Sequence, residues 1–292
     1  MWMPLCSGIQ LAHERHQKMR SVRSGSLTTA VVLACLGLAL HSAFGGGSGL
    51  NVVVVVNQTS ANSLALGNFY CEQRRIPPQN VLRISWTGGN SAWTSNDFHT
   101  VLKAPLLEML ASRGLASQID YVVLSMDIPF QTRTADSVNS TTSALFYGLK
   151  EHSGPSWRTI TNSYAGSEAS FRYSRPASAL GPSFLTTMLT ARSLATAKAL
   201  VLQGVNGDGS MPHQPVILAK SSDPLRNFRY FAFDDAIFNT RLCHGSIVRT
   251  NSDSVLGQTN LLGYQTGLMT FDVSSGTFVP GAIADSPRLL GE

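Results

Sequence analysis

The chain has 292 residues, 43% of them hydrophobic and only 13% charged, which accommodates one large α/β domain or two small ones. Its net charge of +5 sits mostly at the start. Residues 1–45 hold four of the 22 basic and one of the 17 acidic residues, leaving 18 against 16, a net of +2 with no basic block; a nucleic-acid-binding surface is thereby excluded.

The first segment reads as a leader. From Met19 the chain runs MRSVRSGSLTTAVVLACLGLALHSAFGGG. Arg20 and Arg23 make a basic start, and Leu27 to Leu40 make an apolar core of signal-peptide length. Ala43-Phe44-Gly45 then offers small residues on the cleavage side. The run is short for a transmembrane span. Residues 1–18 fit no part of this pattern, so translation is expected to start at Met19 and residues 1–45 to be removed. The expected product is secreted or periplasmic, in the cell envelope, with no membrane span after cleavage. A lipoprotein reading with Cys35 lipidated is weaker, because apolar LGLAL follows where a polar tether belongs. Beyond the leader, Cys71 and Cys243 remain, either as one disulfide or as two buried thiols.

Residues 46–292 read as a single domain. Val52 to Val56 is a continuous β-branched run, suited to a parallel sheet covered on both faces. A helix is expected from about Ser60 to Arg75, with Leu66, Phe69, Gln73 and Ile76 along one side, stopped by Ile76-Pro77-Pro78. NVLRISW (80–86) reads as the second strand. After a Gly-rich loop, Asn96 or Asp97 should cap a helix that reaches Gly114, with Pro105 kinking it or marking its true start. YVVLSMDIP (121–129) is the third strand, which completes a β-α-β-α-β pattern.

From Gln131 to Ser183 no period of 2 or 3.6 is sustained, although six aromatic residues are spread through the stretch. It is expected to be a long irregular insertion, either a lid or docking surface or an irregular subdomain with short helices. FLTTML (184–189) reads as a fourth strand, Ser193 to about Gln203 as a helix, and PVILAK (215–220) as a fifth strand. Asp223 and Pro224 open a further helix in the preferred cap order. SIVRT (246–250) is the sixth strand candidate.

Several motifs resolve to bland readings. VNGDGS (205–210) starts like a calcium loop, but its closing position holds Ile217, so a helix-ending turn is the better reading. GNSAW lacks the small residue a nucleophile elbow needs at Trp93. Cys243 and His244 are helical neighbours that point about 100° apart, which suits capping better than a dyad. His99, His152, His213 and His244 show no metal-ligand spacing, so neither a metal nor a cofactor is implied. Asp235 falls on the apolar stripe of Phe231 and Phe238 and reads as one half of a structural ion pair.

In doubly wound sheets ligands collect outside the carboxyl ends of the strands. The residues at those ends are Asn57, Asp127, Thr187, Ser221 and Asp285. Asn57, Asp127 and Thr187 are therefore the expected ligand-binding residues. Asp127, Asp136 and Asp285 are the candidate catalytic carboxylates, able to share a cation or act as acid and base if not merely capping turns.

VVVVVNQTSANSLALGNFYCEQRRIPPQNVLRI, VLSMDIPFQ, SVNSTTSAL and FVPGAIADS together resemble an uncharacterised family of secreted bacterial proteins. That family occurs in genomes encoding exosortase, a membrane transpeptidase-like protein-sorting enzyme. The resemblance spans most of residues 51–285 and implies location and context rather than a reaction. The chain departs from the pattern at Asp127, where Gly is expected, and near Met188, where Arg is expected. It departs again after Asp285, where a His and a Thr-Ser and glycine-rich segment would follow; truncation of the C-terminus or a frameshift would explain this.

The expected fold is a doubly wound α/β domain with a mainly parallel sheet, of flavodoxin or caspase-like type. The expected function is binding: an exported accessory protein of exosortase-type sorting that takes an envelope protein or glycan through residues 131–183. The alternative is a hydrolase using strand-end carboxylates, possible metal assistance included.

Overall fold

Five consecutive valines have no polar face to turn to water, and the chain buries all of them. In the computed structural model Val52–Asn57 forms strand β1, and every residue in it is buried. The structure describes residues 48–153, 177–178, 181–208, 214–224, 247–255, 257–268 and 276–285, with the single positions 210 and 227. All of these lie within the compact unit 46–292.

Helix α1, Ala61–Arg74, follows β1 and is capped by the Ser60 hydroxyl, which accepts from the Ser63 N–H at 3.1 Å. It ends at Arg75, whose φ of 52° is left-handed, just before the two prolines. Strand β2 is Val81–Ile84 and β3 is Ala92–Thr94. Helix α2 comprises Ser95–Asp97, a π-helical stretch Phe98–Lys103, and Ala104–Ser112. Its cap is Thr94, not Asn96 or Asp97. Asp97 instead supplies the reciprocal carboxylate of a capping box. Pro105 has no N–H for the α-helical ladder. The turn before it widens, and the Ala104 N–H bonds back to the His99 carbonyl.

Strand β4 is Tyr121–Leu124, β5 is Gln131–Arg133 and β6 is Val138–Ser140. Helix α3 is Thr141–Tyr147, and β7, Ala177–Ser178, pairs antiparallel with β8, Gly181–Pro182. Strand β9 is Leu185–Met188 and helix α4 is Leu194–Asn206. Strands β10 (Val216–Lys220), β11 (Ile247–Asn251), β12 (Leu261–Thr266) and β13 (Phe278–Asp285) complete the described elements.

The fold is doubly wound α/β. The first sheet has the order β2-β1-β4-β9, parallel throughout. Val53 and Val55 pack on one face with Leu102 and Leu106 of α2 and with Ala144 and Leu145 of α3. Val52, Val54 and Val56 pack on the other with Leu64 and Tyr70 of α1, while Leu66 of α1 meets Ala197 and Val201 of α4. Helices α1 and α4 therefore cover one face of the sheet and α2 and α3 the other. Gly67 sets how closely α1 lies on β1: a Cβ there would overlap the Cγ1 of Val56.

Among the described residues the long parallel strands fall into two sheets rather than the expected one, beside a small mixed sheet β3-β5-β6 and the β7–β8 pair. Strands β10 to β13 form a second parallel sheet in the order β11-β10-β12-β13. Helix α4 runs along α1 and also touches β13, and its end is tied to α1 by an ion pair between Arg74 and Asp208. VNGDGS is thus the helix-ending turn, with the Gly207 N–H on the Gln203 carbonyl. Part of the 131–183 stretch is regular: α3 fills the core, and Trp93 donates to the Thr132 hydroxyl at 2.9 Å and the Thr141 hydroxyl at 3.2 Å. Residues 154–176 lie outside the described residues. Among the described residues no helix is long and apolar enough to cross a membrane.

Candidate functional site

In the first sheet the chain passes from β1 outward to β2, then back across to β4 and β9. The carboxyl ends of β1 and β4 therefore flank the topological switch point, the crevice where such sheets hold ligands. Asn57 and Asp127 meet there.

Asn57 is 2% exposed and uses its whole amide. Its Oδ1 accepts from the Trp86 N–H at 3.0 Å and the Thr59 hydroxyl at 2.8 Å. Its Nδ2 donates to the Trp86 carbonyl at 2.9 Å and the Asp127 carbonyl at 3.1 Å. One side chain thus ties together the segments leaving β1, β2 and β4. Its backbone N–H is taken by the Ser63 hydroxyl at 2.9 Å, so the rim is also fixed to α1. Asn57 is a brace, with no valence left for a ligand.

Asp127 is different. It is half-buried, and its φ of 59° lies in the left-handed region, where glycine sits without cost. The family resemblance would place glycine at this position. The carboxylate Oδ1 accepts from the Asn90 side-chain amide at 2.9 Å, and Oδ2 accepts from the Ser60 hydroxyl at 2.5 Å. Ser60 is the cap of α1, so the carboxylate also lies toward the positive end of that helix. Trp86 completes the rim. Its backbone shares Asn57 with Asp127, and its ring packs edge-on against Trp93 with centroids 5.6 Å apart. A partly open carboxylate beside a primary amide can accept from and donate to the hydroxyls of a ligand.

The other expected residues lie elsewhere. Asp136 binds the chain at 152–153, accepting from the His152 N–H at 2.9 Å and the Ser153 N–H at 2.8 Å. The Ser153 hydroxyl and N–H hold this exposed carboxyl below its ordinary value. It is an anchor for the loop and shares no hydrogen-bond partner with Asp127. Thr187 pairs with Val123 on β4, which in turn is level with Val54 on β1. That is three residues short of Asn57, and Thr187 lines an apolar cavity beside α3 with Phe146 and Leu185. Asp285 ends β13 of the second sheet, opposite Gln265. Ser221, after β10, accepts its order from Asn227, whose Oδ1 takes the Ser221 N–H at 2.9 Å. The strand ends therefore form two groups rather than one neighbourhood.

Cys71 is a free, half-buried thiol, pushed above its ordinary value by burial. Asp235, His213, Cys243 and His244 lie outside the described residues. Among the described residues no group of three or more His, Cys, Asp or Glu converges as a metal site would require. Sequence reasoning missed Ser60, Trp86 and Asn90 as members of the rim. Ser60 was legible only as a helix start, and nothing in the spacing links Asn90 to a residue 37 positions later.

Comparison with family models, with curated proteins and with solved structures finds no match.

Proposed function

We propose that this chain is an exported, non-catalytic binding protein of the cell envelope, an accessory to exosortase-type protein sorting, whose ligand is a hydroxyl-rich glycan seated on the rim at Asp127. The observation that supports this reading is the Asp127 carboxylate itself. It is half-buried at the switch point, in a backbone conformation that costs an L-residue free energy, and among the described residues it is met by the neutral donors Ser60 and Asn90. Hydrolysis by paired strand-end carboxylates is less well supported, because Asp136 is engaged with His152 and Ser153 and Asp285 belongs to the second sheet.

The test is a thermal-shift panel of neutral envelope oligosaccharides on the mature chain and on Asp127→Asn. A ligand bound only by the folded state stabilises it by about 2.7 kcal/mol at a hundredfold excess over Kd. The expected result is a shift in the wild type that the variant loses. An identical shift in Asp127→Asn, or none with any oligosaccharide, removes the proposal. A shift produced by calcium or magnesium and lost in the variant would favour the hydrolase instead.

A further inference from the structure

A four-stranded parallel sheet has two edges, and β2 is one of them. Along a strand, the backbone groups of successive residues point alternately to the two sides. The Ile84 carbonyl accepts from the Gln58 N–H at 2.8 Å, so Leu82 and Ile84 face β1. Val81 and Arg83 therefore face outward. The Val81 carbonyl confirms this direction, because it accepts from the Arg113 guanidinium at 3.3 Å on the side away from β1. The same guanidinium reaches the Gln79 carbonyl at 2.5 Å. Arg113 thus closes the amino-terminal end of the edge, while the peptide groups of Arg83 stay open.

This edge does not face bulk water directly. It forms the floor of a groove of about 620 Å³, walled by Cys71 of α1 on one side and by Glu108 and Met109 of α2 on the other. A sheet edge between two flanking helices is the geometry into which a further strand inserts. The Arg83 and Arg113 side chains line the groove against the single carboxylate of Glu108, so its charge is net positive. A second copy of this chain, pairing β2 with β2, would bring Arg83 and Arg113 toward their own duplicates; like charge disfavours that occupant.

We propose that this groove receives an extended acidic segment of a partner protein, added to β2 as a further strand. Backbone pairing at Arg83 supplies the register, carboxylates on alternate residues of the segment meet Arg83 on the α1 face, and Arg113 adds positive charge at the end of the edge. The site is separate from the Asp127 rim and does not depend on it.

Cys71 provides the readout, since an occupant of the groove covers its thiol. Burial holds that thiol above its ordinary value, so alkylation is slow and is run at alkaline pH. The probes are a short capped peptide alternating Val and Glu, its Val–Lys counterpart, and the Val–Glu peptide N-methylated on alternate amides. Modification at Cys71 is followed by peptide mapping of the mature chain. The Val–Glu peptide is expected to slow alkylation severalfold, and the other two to leave it unchanged. Arg83→Glu, an exposed position, is expected to exchange the preference between Glu and Lys. Equal protection by the N-methylated peptide overturns strand addition. Failure of every peptide to protect overturns the site and leaves the arginines as guards of a bare edge. Protection that grows with protein concentration in the absence of peptide overturns the acidic partner in favour of a second copy.

Discussion

Asn57 holds three segments at once, and the consequence of losing it follows from what it would leave behind. Asn57→Ala strips a partner from the Trp86 N–H and from the Asp127 carbonyl, whereas the Trp86 carbonyl keeps the Thr59 hydroxyl. Buried groups left unsatisfied cost about 1–3 kcal/mol each, and these two are half-buried, so a loss of about 2 kcal/mol is expected. Urea denaturation reads it as a lower midpoint with an unchanged slope. Lys103 gives a pH-dependent counterpart. It is 1% exposed in the π-helical turn, its Nζ lies 5.4 Å from the centre of the Phe184 ring, and burial lowers its pKa to about 8. Between about 8 and the ordinary 10.5 the unfolded chain keeps a proton that the folded chain has released. Stability from this group therefore rises with pH across that window and is flat below it. Wild type measured against Lys103→Met should gain up to about 1.4 kcal/mol per pH unit there. A constant difference would show that burial does not govern this lysine.

At the scale of elements, the tightest fit is α1 on β1. Gly67→Ala sets a methyl group into Val56, and neither the helix nor the central strand can retreat without disturbing the rim that Ser60 and Ser63 hold. Overpacking of this kind costs about 1–3 kcal/mol, against the small gain Ala brings to an exposed helix. A rise in melting temperature would show that α1 is not pinned. Most of these elements were legible in the sequence. The valine run, the Ser60 start, the stop at Pro77 and the strands near 81, 121, 185 and 216 follow from local composition, which needs no knowledge of what lies across the sheet. What local composition could not supply is pairing. Thr94 displaces Asn96 as the cap because Asp97 can bond back to it, and Asn90 reaches Asp127 only after the α2 crossover. The candidate site was half legible for the same reason: Asn57 and Asp127 are strand-end residues of one sheet, whereas Asp285 joined them only on the expectation that all strands shared it.

For the molecule as a whole, the 131–183 stretch is not detachable. Ala144 and Leu145 are each 1% exposed, and the buried Thr132 and Thr141 satisfy the indole of Trp93. Deleting 131–183 should abolish the cooperative thermal transition seen by circular dichroism, so a test of partner binding should confine its changes to 154–176. A retained transition would mean that α3 adds nothing to the core. The division into two sheets has a further consequence, in time rather than in space. Every strand of the first sheet comes from 52–188 and every strand of the second from 216–285. A polypeptide laid out this way can finish its earlier half while the later half is still being synthesised, with α4 left waiting for its second neighbour. Amide exchange should then resolve two cooperative openings, with the slowest protons in the β1 valines.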